Sequence, residues 1–168
     1  LKKGAFGLIT LHRPSNVDAF ESLSSLCEMF VRVSDRTTLV FPVHPRTRKN
    51  LEDFGLMNAL KQSNRILLTE PMNYIRFMNL VFSCKFVITD SGGIQEETTY
   101  LGIPCLTMRD NTERPVTVTM GTNQLCTLSN LQERVEQIVS GKIRPHRVPD
   151  LWDGNTSGRI VADIRNRV

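Results

Sequence analysis

The stretch Ile88-Thr89-Asp90-Ser91-Gly92-Gly93-Ile94-Gln95-Glu96-Glu97 reads as an apolar strand that runs through a glycine pair into a helix. Such a turn can cradle a phosphate. Glycine lets the anion approach the backbone closely, and the amides of Ser91, Gly92 and Gly93 would point at it with the positive end of the helix dipole behind them. The Ser91 hydroxyl adds a donor. Glu96 and Glu97 lie one turn in, where either carboxylate could accept both hydroxyls of a ribose; Glu96 is read as a first-turn stabiliser. A glycine pair also serves plain turn geometry, so the company it keeps matters. Arg114, in Asn111-Thr112-Glu113-Arg114-Pro115, carries a planar fork suited to phosphate oxygens. His12 suits charge stabilisation on a departing phosphate, as imidazolium or as a neutral donor. Each has a bland alternative, a surface arginine or a loop histidine satisfied by backbone. Phe77 is a core helix residue by default and a base-contacting aromatic if the segment 70–74 lines the pocket.

These residues need a scaffold that gathers them. Short apolar runs rich in β-branched residues occur at Phe6–Leu11, Thr38–Val43, Ile66–Thr69, Phe86–Thr89, Pro104–Met108 and Gln124–Leu128. Between most of them the apolar residues recur at three and four, as in Ala19–Val33, Tyr74–Phe82, Ile94–Leu101 and Leu131–Val139, which predicts helices. Asp18 is the expected N-cap of the first. Ser129 with Gln132 is read as a capping box for the last, and Gly102 with Pro104 closes the third. Strands that are apolar throughout are buried on both faces, so the fold class is α/β: a Rossmann-like parallel sheet with helices on both faces. Ligands of such sheets bind beyond the carboxyl ends of the strands. The polar segments following the runs, His12 to Asn16, His44 to Arg46, Glu70-Pro71, Asp90 to Gly93 and Arg109 to Arg114, are expected to converge on one rim.

A length of 168 residues suits one domain, 1–168. The segment 145–168, a proline-containing loop followed by a helical pattern through Ile160, Val161 and Ile164, is expected to pack back or to cross to another domain. The basic residues of the whole chain, 21 against 17 acidic ones for a net charge of +4, are scattered rather than striped, so no nucleic-acid partner is expected. No apolar run approaches the roughly 20 residues of a membrane-spanning helix. The four cysteines, Cys27, Cys84, Cys105 and Cys126, lie far apart, as reduced core residues of a cytoplasmic protein would. Together with the dispersed His12, His44 and His146 they suggest no metal site, and no cofactor is expected. The chain enters an apolar run soon after Leu1-Lys2-Lys3-Gly4, which reads as an excised piece without a targeting peptide.

The blocks Thr10-Leu11-His12-Arg13, Val43-His44-Pro45, Asp90 to Glu97, Leu101-Gly102-Ile103-Pro104 and Met108 to Pro115 resemble, in this order and spacing, the non-hydrolysing UDP-N-acetylglucosamine 2-epimerases. Ser157-Gly158-Arg159-Ile160-Val161 resembles that family's C-terminal helix. The resemblance implies one half, the C-terminal one, of a GT-B-type two-domain fold. It implies UDP binding by Ser91, Gly92, Gly93, Glu97 and Arg114, uracil near Met72 and Phe77, and His12 as the catalytic stabiliser of the diphosphate. At Met72 some relatives carry glutamine, so a contact there is expected from the backbone. Arg13 and His44 resemble residues that bind a second, activating UDP-GlcNAc, although Pro14 and Ser15 stand where many members have arginine and glutamate. The reaction implied is interconversion of UDP-GlcNAc and UDP-ManNAc by anti elimination and re-addition of UDP, in the service of envelope polysaccharide synthesis. Its acid and base carboxylates belong to an N-terminal half, so this chain alone is expected to be inactive, and the full-length protein to be a homodimer. The alternatives are half of a GT-B-type sugar-nucleotide glycosyltransferase, a hydrolysing 2-epimerase, and a non-catalytic nucleotide-binding module.

Overall fold

The computed structural model describes residues 1–167; Val168, the last residue of the segment 145–168, lies outside the described residues. Strand and helix alternate: β1 (Phe6–Thr10), α1 (Pro14–Val17), α2 (Phe20–Ser34), β2 (Thr38–Pro42), α3 (Pro45–Asp53), α4 (Met57–Gln62), β3 (Ile66–Thr69), α5 (Tyr74–Ser83), β4 (Phe86–Thr89), α6 (Gly92–Leu101), β5 (Cys105–Met108), α7 (Pro115–Thr119), β6 (Asn123–Cys126), α8 (Leu131–Val139) and α9 (Thr156–Arg167). The strands form one parallel six-stranded sheet in the order β3-β2-β1-β4-β5-β6.

The central strands β1, β2, β4 and β5 bury both faces, as expected, whereas the edge strand β3 leaves Leu67 exposed. Ile9, Leu39, Phe41, Ile88 and Leu106 point to one side, against Leu23, Leu26 and Phe30 of α2 and Leu131 and Val135 of α8. Their chain neighbours Leu8, Val40 and Val87 point to the other, against Val81 of α5 and Ile94 of α6. Period-two alternation thus serves two cores instead of one core and solvent. Burial of each such side chain contributes about 1.5–3 kcal/mol. All four cysteines are buried free thiols whose desolvation raises their pKa, for Cys27, Cys84 and Cys126 to about 12.

Strand order decides where a ligand can sit. The chain builds outward from β1 through β2 to β3, then returns to lay β4 on the other side of β1 and continues to β6. The loops after β1 and β4 therefore leave in opposite directions and open a crevice between them. Thr10 pairs with Thr89 at the end of that seam, so His12 and Asp90 emerge side by side.

Several local expectations are corrected. Asp18 does not cap α2, whose N-cap is Ala19; its carboxylate takes the guanidinium of Arg46 instead, a charged partner stronger than a backbone amide. Ser129 and Gln132 form no capping box. The helix begins at Leu131, so Gln132 is its second residue, one short of the position that reaches back, and bonds Glu136. The last strand is Asn123–Cys126 rather than Gln124–Leu128. Helix α3 escaped the periodicity because only Thr47 and Leu51 of it are buried among charged neighbours.

Candidate functional site

The rim at the β1–β4 seam is organised by Asp90, whose side chain is wholly buried at the end of β4. An isolated buried carboxylate would be strongly disfavoured, and here it is compensated from every side. It accepts the backbone N–H of His12 at 3.1 Å and of Arg13 at 2.9 Å, and the side-chain amide of Asn16 at 3.1 Å. His12 Nδ1 stands 3.2 Å from its other oxygen. The Asn16 amide also reaches the carbonyl of Met108 at 3.1 Å, tying the loop after β1 to the end of β5. Sequence reasoning placed Asp90 on the rim and missed this role. The available signal was an acid standing directly on a strand buried on both faces, where it must have partners.

The glycine turn lies beside it. The Ser91 N–H is engaged by the Thr89 hydroxyl at 2.9 Å, and no side chain caps α6. The expected trio of amides therefore becomes two, those of Gly92 and Gly93, with the Ser91 hydroxyl beside them. The two glycines serve different ends. A Cβ on Gly92 would stand 2.5 Å from Nη1 of Arg114, whose guanidinium lies over it, whereas one on Gly93 would meet open space. Arg114 is steered there by acids: its Nε lies 2.9 Å from Glu96 Oε2 and its Nη1 3.7 Å from Glu113. Glu96, the fifth residue of α6, lies past the first turn and pairs with Arg114, which corrects its reading as a first-turn stabiliser.

Glu113 joins three arginines. It accepts a two-pronged bond from Arg109 at 2.7 and 2.9 Å and also lies 3.8 Å from Arg13. The Arg109 bonds, followed by its own backbone amide, hold its carboxyl down at about 2. Glu97, next to Glu96 on α6, is bonded through Oε1 to the Tyr74 hydroxyl at 3.0 Å while its buried Oε2 has no partner. Met72 and Phe77 flank the N-terminus of α5, which Tyr74 thereby ties to α6; Phe77 is half-buried against the core. The rings of His12 and His44 stand 5.4 Å apart, and His44 Nδ1 accepts the Arg46 N–H at the start of α3. Partial burial, and then His12, lower the His44 pKa. Arg13, of the same loop, and His44, of the loop after β2, thus flank His12.

An open cleft of about 440 Å³ lies at the ends of β1, β5 and β6, lined by Arg13, Asn16, Met108, Arg109 and Asn111, and by none of Ser91, Gly92, Gly93 or Arg114. Among the described residues, no group of three His, Cys, Asp or Glu could hold a metal ion, and no helix is long and apolar enough to cross a membrane.

A family model described as UDP-N-acetylglucosamine 2-epimerase matches residues 1–165. The UDP-N-acetylglucosamine 2-epimerase of Methanococcus maripaludis is 40% identical over 167 residues, covering 97% of this chain and 45% of the relative. That of Methanocaldococcus jannaschii is 44% identical over 159 residues, 92% of this chain and 43% of the relative. The crystal structure of the Methanocaldococcus jannaschii UDP-GlcNAc 2-epimerase in complex with UDP-GlcNAc and UDP superposes with a TM-score of 0.85 at 34% identity, covering 99% of this chain and 46% of that one. An E. coli heptosyltransferase with ADP shares the fold alone, at 16% identity and a TM-score of 0.58 over 84% of this chain. The sheet is accordingly that of one half of a GT-B-type fold, and the chain spans about half the length of the curated relatives it matches. With a family model along nearly its whole length and relatives of two-fifths identity, this chain belongs to the UDP-N-acetylglucosamine 2-epimerase family.

Proposed function

We propose that this chain is the UDP-holding half of a non-hydrolysing UDP-N-acetylglucosamine 2-epimerase, which interconverts UDP-GlcNAc and UDP-ManNAc. One observation carries the reading: the uncapped amides of Gly92 and Gly93 open under the Arg114 guanidinium at the switch point of the sheet. Helix amides and a planar cation converging on one space are what a diphosphate requires. The unpartnered oxygen of Glu97 takes the ribose hydroxyls, and uracil lies against the backbone at Met72 and the ring of Phe77.

The chemistry follows from charge. Anti elimination leaves UDP as an anion and a 2-acetamidoglucal, and re-addition to the other face inverts C2. Donors that hold the diphosphate strengthen as negative charge grows on the departing oxygen, which lowers the barrier. His12, whose Nδ1 lies 3.2 Å from an Asp90 oxygen, stabilises the charge on the departing diphosphate. Removal and return of the C2 proton fall to carboxylates of an N-terminal half that closes over this rim, with the segment 145–168 reaching toward it. Arg13 and His44 hold a second, activating UDP-GlcNAc. Neither metal, cofactor, nucleic acid nor membrane enters the reading; the full-length protein is a homodimer in the cytoplasm, where buried free thiols remain reduced.

Titration of the chain with UDP, followed by NMR, tests the carrying observation. Arg114→Ala is expected to weaken binding by about tenfold or more, as loss of a charge-assisted contact does; equal affinity of the two proteins removes Arg114 from the site. The chain alone is expected to exchange no deuterium into C2 of UDP-GlcNAc, and detectable exchange would overturn the division of labour. With an N-terminal half restored, the product expected is UDP-ManNAc rather than free ManNAc.

A further inference from the structure

Gln95, on the sheet-facing side of α6, is wholly buried, and its amide is used at both ends. Nε2 donates to the carbonyl of Ser91 at 3.2 Å; Oε1 accepts the Thr112 hydroxyl at 2.6 Å and the side-chain amide of Asn123 at 2.9 Å. Thr112 Oγ1 in turn accepts the backbone N–H of Arg114 at 3.1 Å. Asn123, buried at the start of β6, gives its other bond to Thr117 Oγ1 at 3.0 Å, and the Thr117 hydroxyl donates to the Arg114 carbonyl at 2.8 Å. Asn123 Oδ1 accepts the Thr107 hydroxyl of β5 at 2.6 Å. Both backbone polar groups of Arg114 are thereby tied, through one buried network, to the carbonyl that leads into the glycine turn.

The network has one orientation. Turned round, the Gln95 amide would set its NH2 against that of Asn123 and its oxygen against the Ser91 carbonyl. An apolar side chain would fill this position at less desolvation cost, but packing is non-directional whereas hydrogen bonds fix distance and angle. The loop 109–114 arrives from β5 and the glycine turn from β4, so something must set their separation if one anion is to meet both.

We infer that Gln95 is a positioning residue for the diphosphate site: it holds Arg114 over Gly92 at the separation at which the guanidinium and the α6 amides serve the same anion. This rests on the reading of the rim as a diphosphate site. It acts through Arg114 and touches no ligand.

The test compares UDP with uridine, which lacks the phosphates, by NMR titration of the wild-type chain, Gln95→Leu, Arg114→Ala and the double variant. Gln95→Leu is expected to weaken UDP about tenfold, to leave uridine unchanged, and to add nothing once Arg114 is alanine. A purely structural role would lower both ligands together or act in full on the Arg114→Ala background, and either result overturns the inference. If Arg114→Ala weakens UDP while Gln95→Leu does not, the inference alone fails. If Arg114→Ala has no effect, the diphosphate reading fails and takes the inference with it. Should Gln95→Leu not fold, Thr112→Val, which strips the acceptor from the Arg114 N–H at a half-exposed position, carries the same comparison with the same expected results.

Discussion

The rim between β1 and β4 and the C-terminal helix α9 are opposites in how they are held. At the rim a buried carboxylate draws together the loop after β1, and a buried amide draws together the turn after β4 and the loop after β5. Helix α9 carries Ile160, Val161 and Ile164 at helical spacing, yet none of its described residues is buried; its polar contacts are local ones, such as Arg159 to Asp153. The rim is preorganised before any ligand arrives, whereas α9 has an apolar side without a core. The contrast teaches that here long-range order comes from buried polar side chains as well as apolar ones, because each must find its partners or pay their desolvation.

The largest expected effect tests the rim. Asp90→Ala leaves two backbone N–H groups without their acceptor and takes one of two acceptors from the Asn16 amide, and should lower stability by about 3 kcal/mol in urea unfolding; a loss below about 1 kcal/mol would break the claim that Asp90 organises the loop. Next comes Gly93→Ala. Its Cβ meets open space, so stability should hold, while UDP affinity should fall about tenfold because the new methyl occupies the approach of the phosphate. Unchanged UDP affinity would place the diphosphate elsewhere.

Acid sharpens the comparison, because each region has one carboxyl held at about 2, Glu113 by Arg109 and Asp153 by the Asn155 amide and then Arg159. Both are depressed in the folded chain, so their stabilisation is present above the ordinary values of 4.5 and 3.8 and is lost as pH falls toward 2. Glu113 bonds Arg109 within its own loop and also reaches Arg13 of the loop after β1 at 3.8 Å, whereas Asp153 grips only its own turn. Glu113→Gln should therefore flatten the fall in the urea midpoint between roughly pH 4.5 and 2, and Asp153→Asn should change only helix content at the C-terminus. Both carboxyls are exposed, so added salt should shrink each effect. The smallest change is expected from Ile160→Ser with Ile164→Ser, within about 0.5 kcal/mol for this chain; a larger loss would mean that α9 packs on the domain after all.

Much was legible because it is local. Runs such as Phe86–Thr89, whose every residue is buried, mark their own strands, and Ile66–Thr69 does so as an apolar run even at the sheet edge, where Leu67 is exposed. The glycine pair, His12 and Arg114 pointed to the proposed phosphate site through residue type and position after a strand. Helix caps were less legible: Asp18 has capping chemistry, but Arg46, distant in sequence, takes its carboxylate. Gln95 looked like one more polar residue on a helix, and Asp90 like one more residue of a loop.

The sequence by itself determined the alternation of strands and helices, the family blocks and the set of side chains on the rim, because hydrophobic period and residue chemistry act over a few positions. Only the tertiary structure decided that Asp90 grips His12 and Arg13, that Thr89 takes the Ser91 amide, that Glu96 steers Arg114 and that Gln95 ties Arg114 to the glycine turn. The physical reason is that a hydrogen bond or ion pair is chosen among all partners that strand order brings within about 3 Å, and that order is a property of the folded sheet.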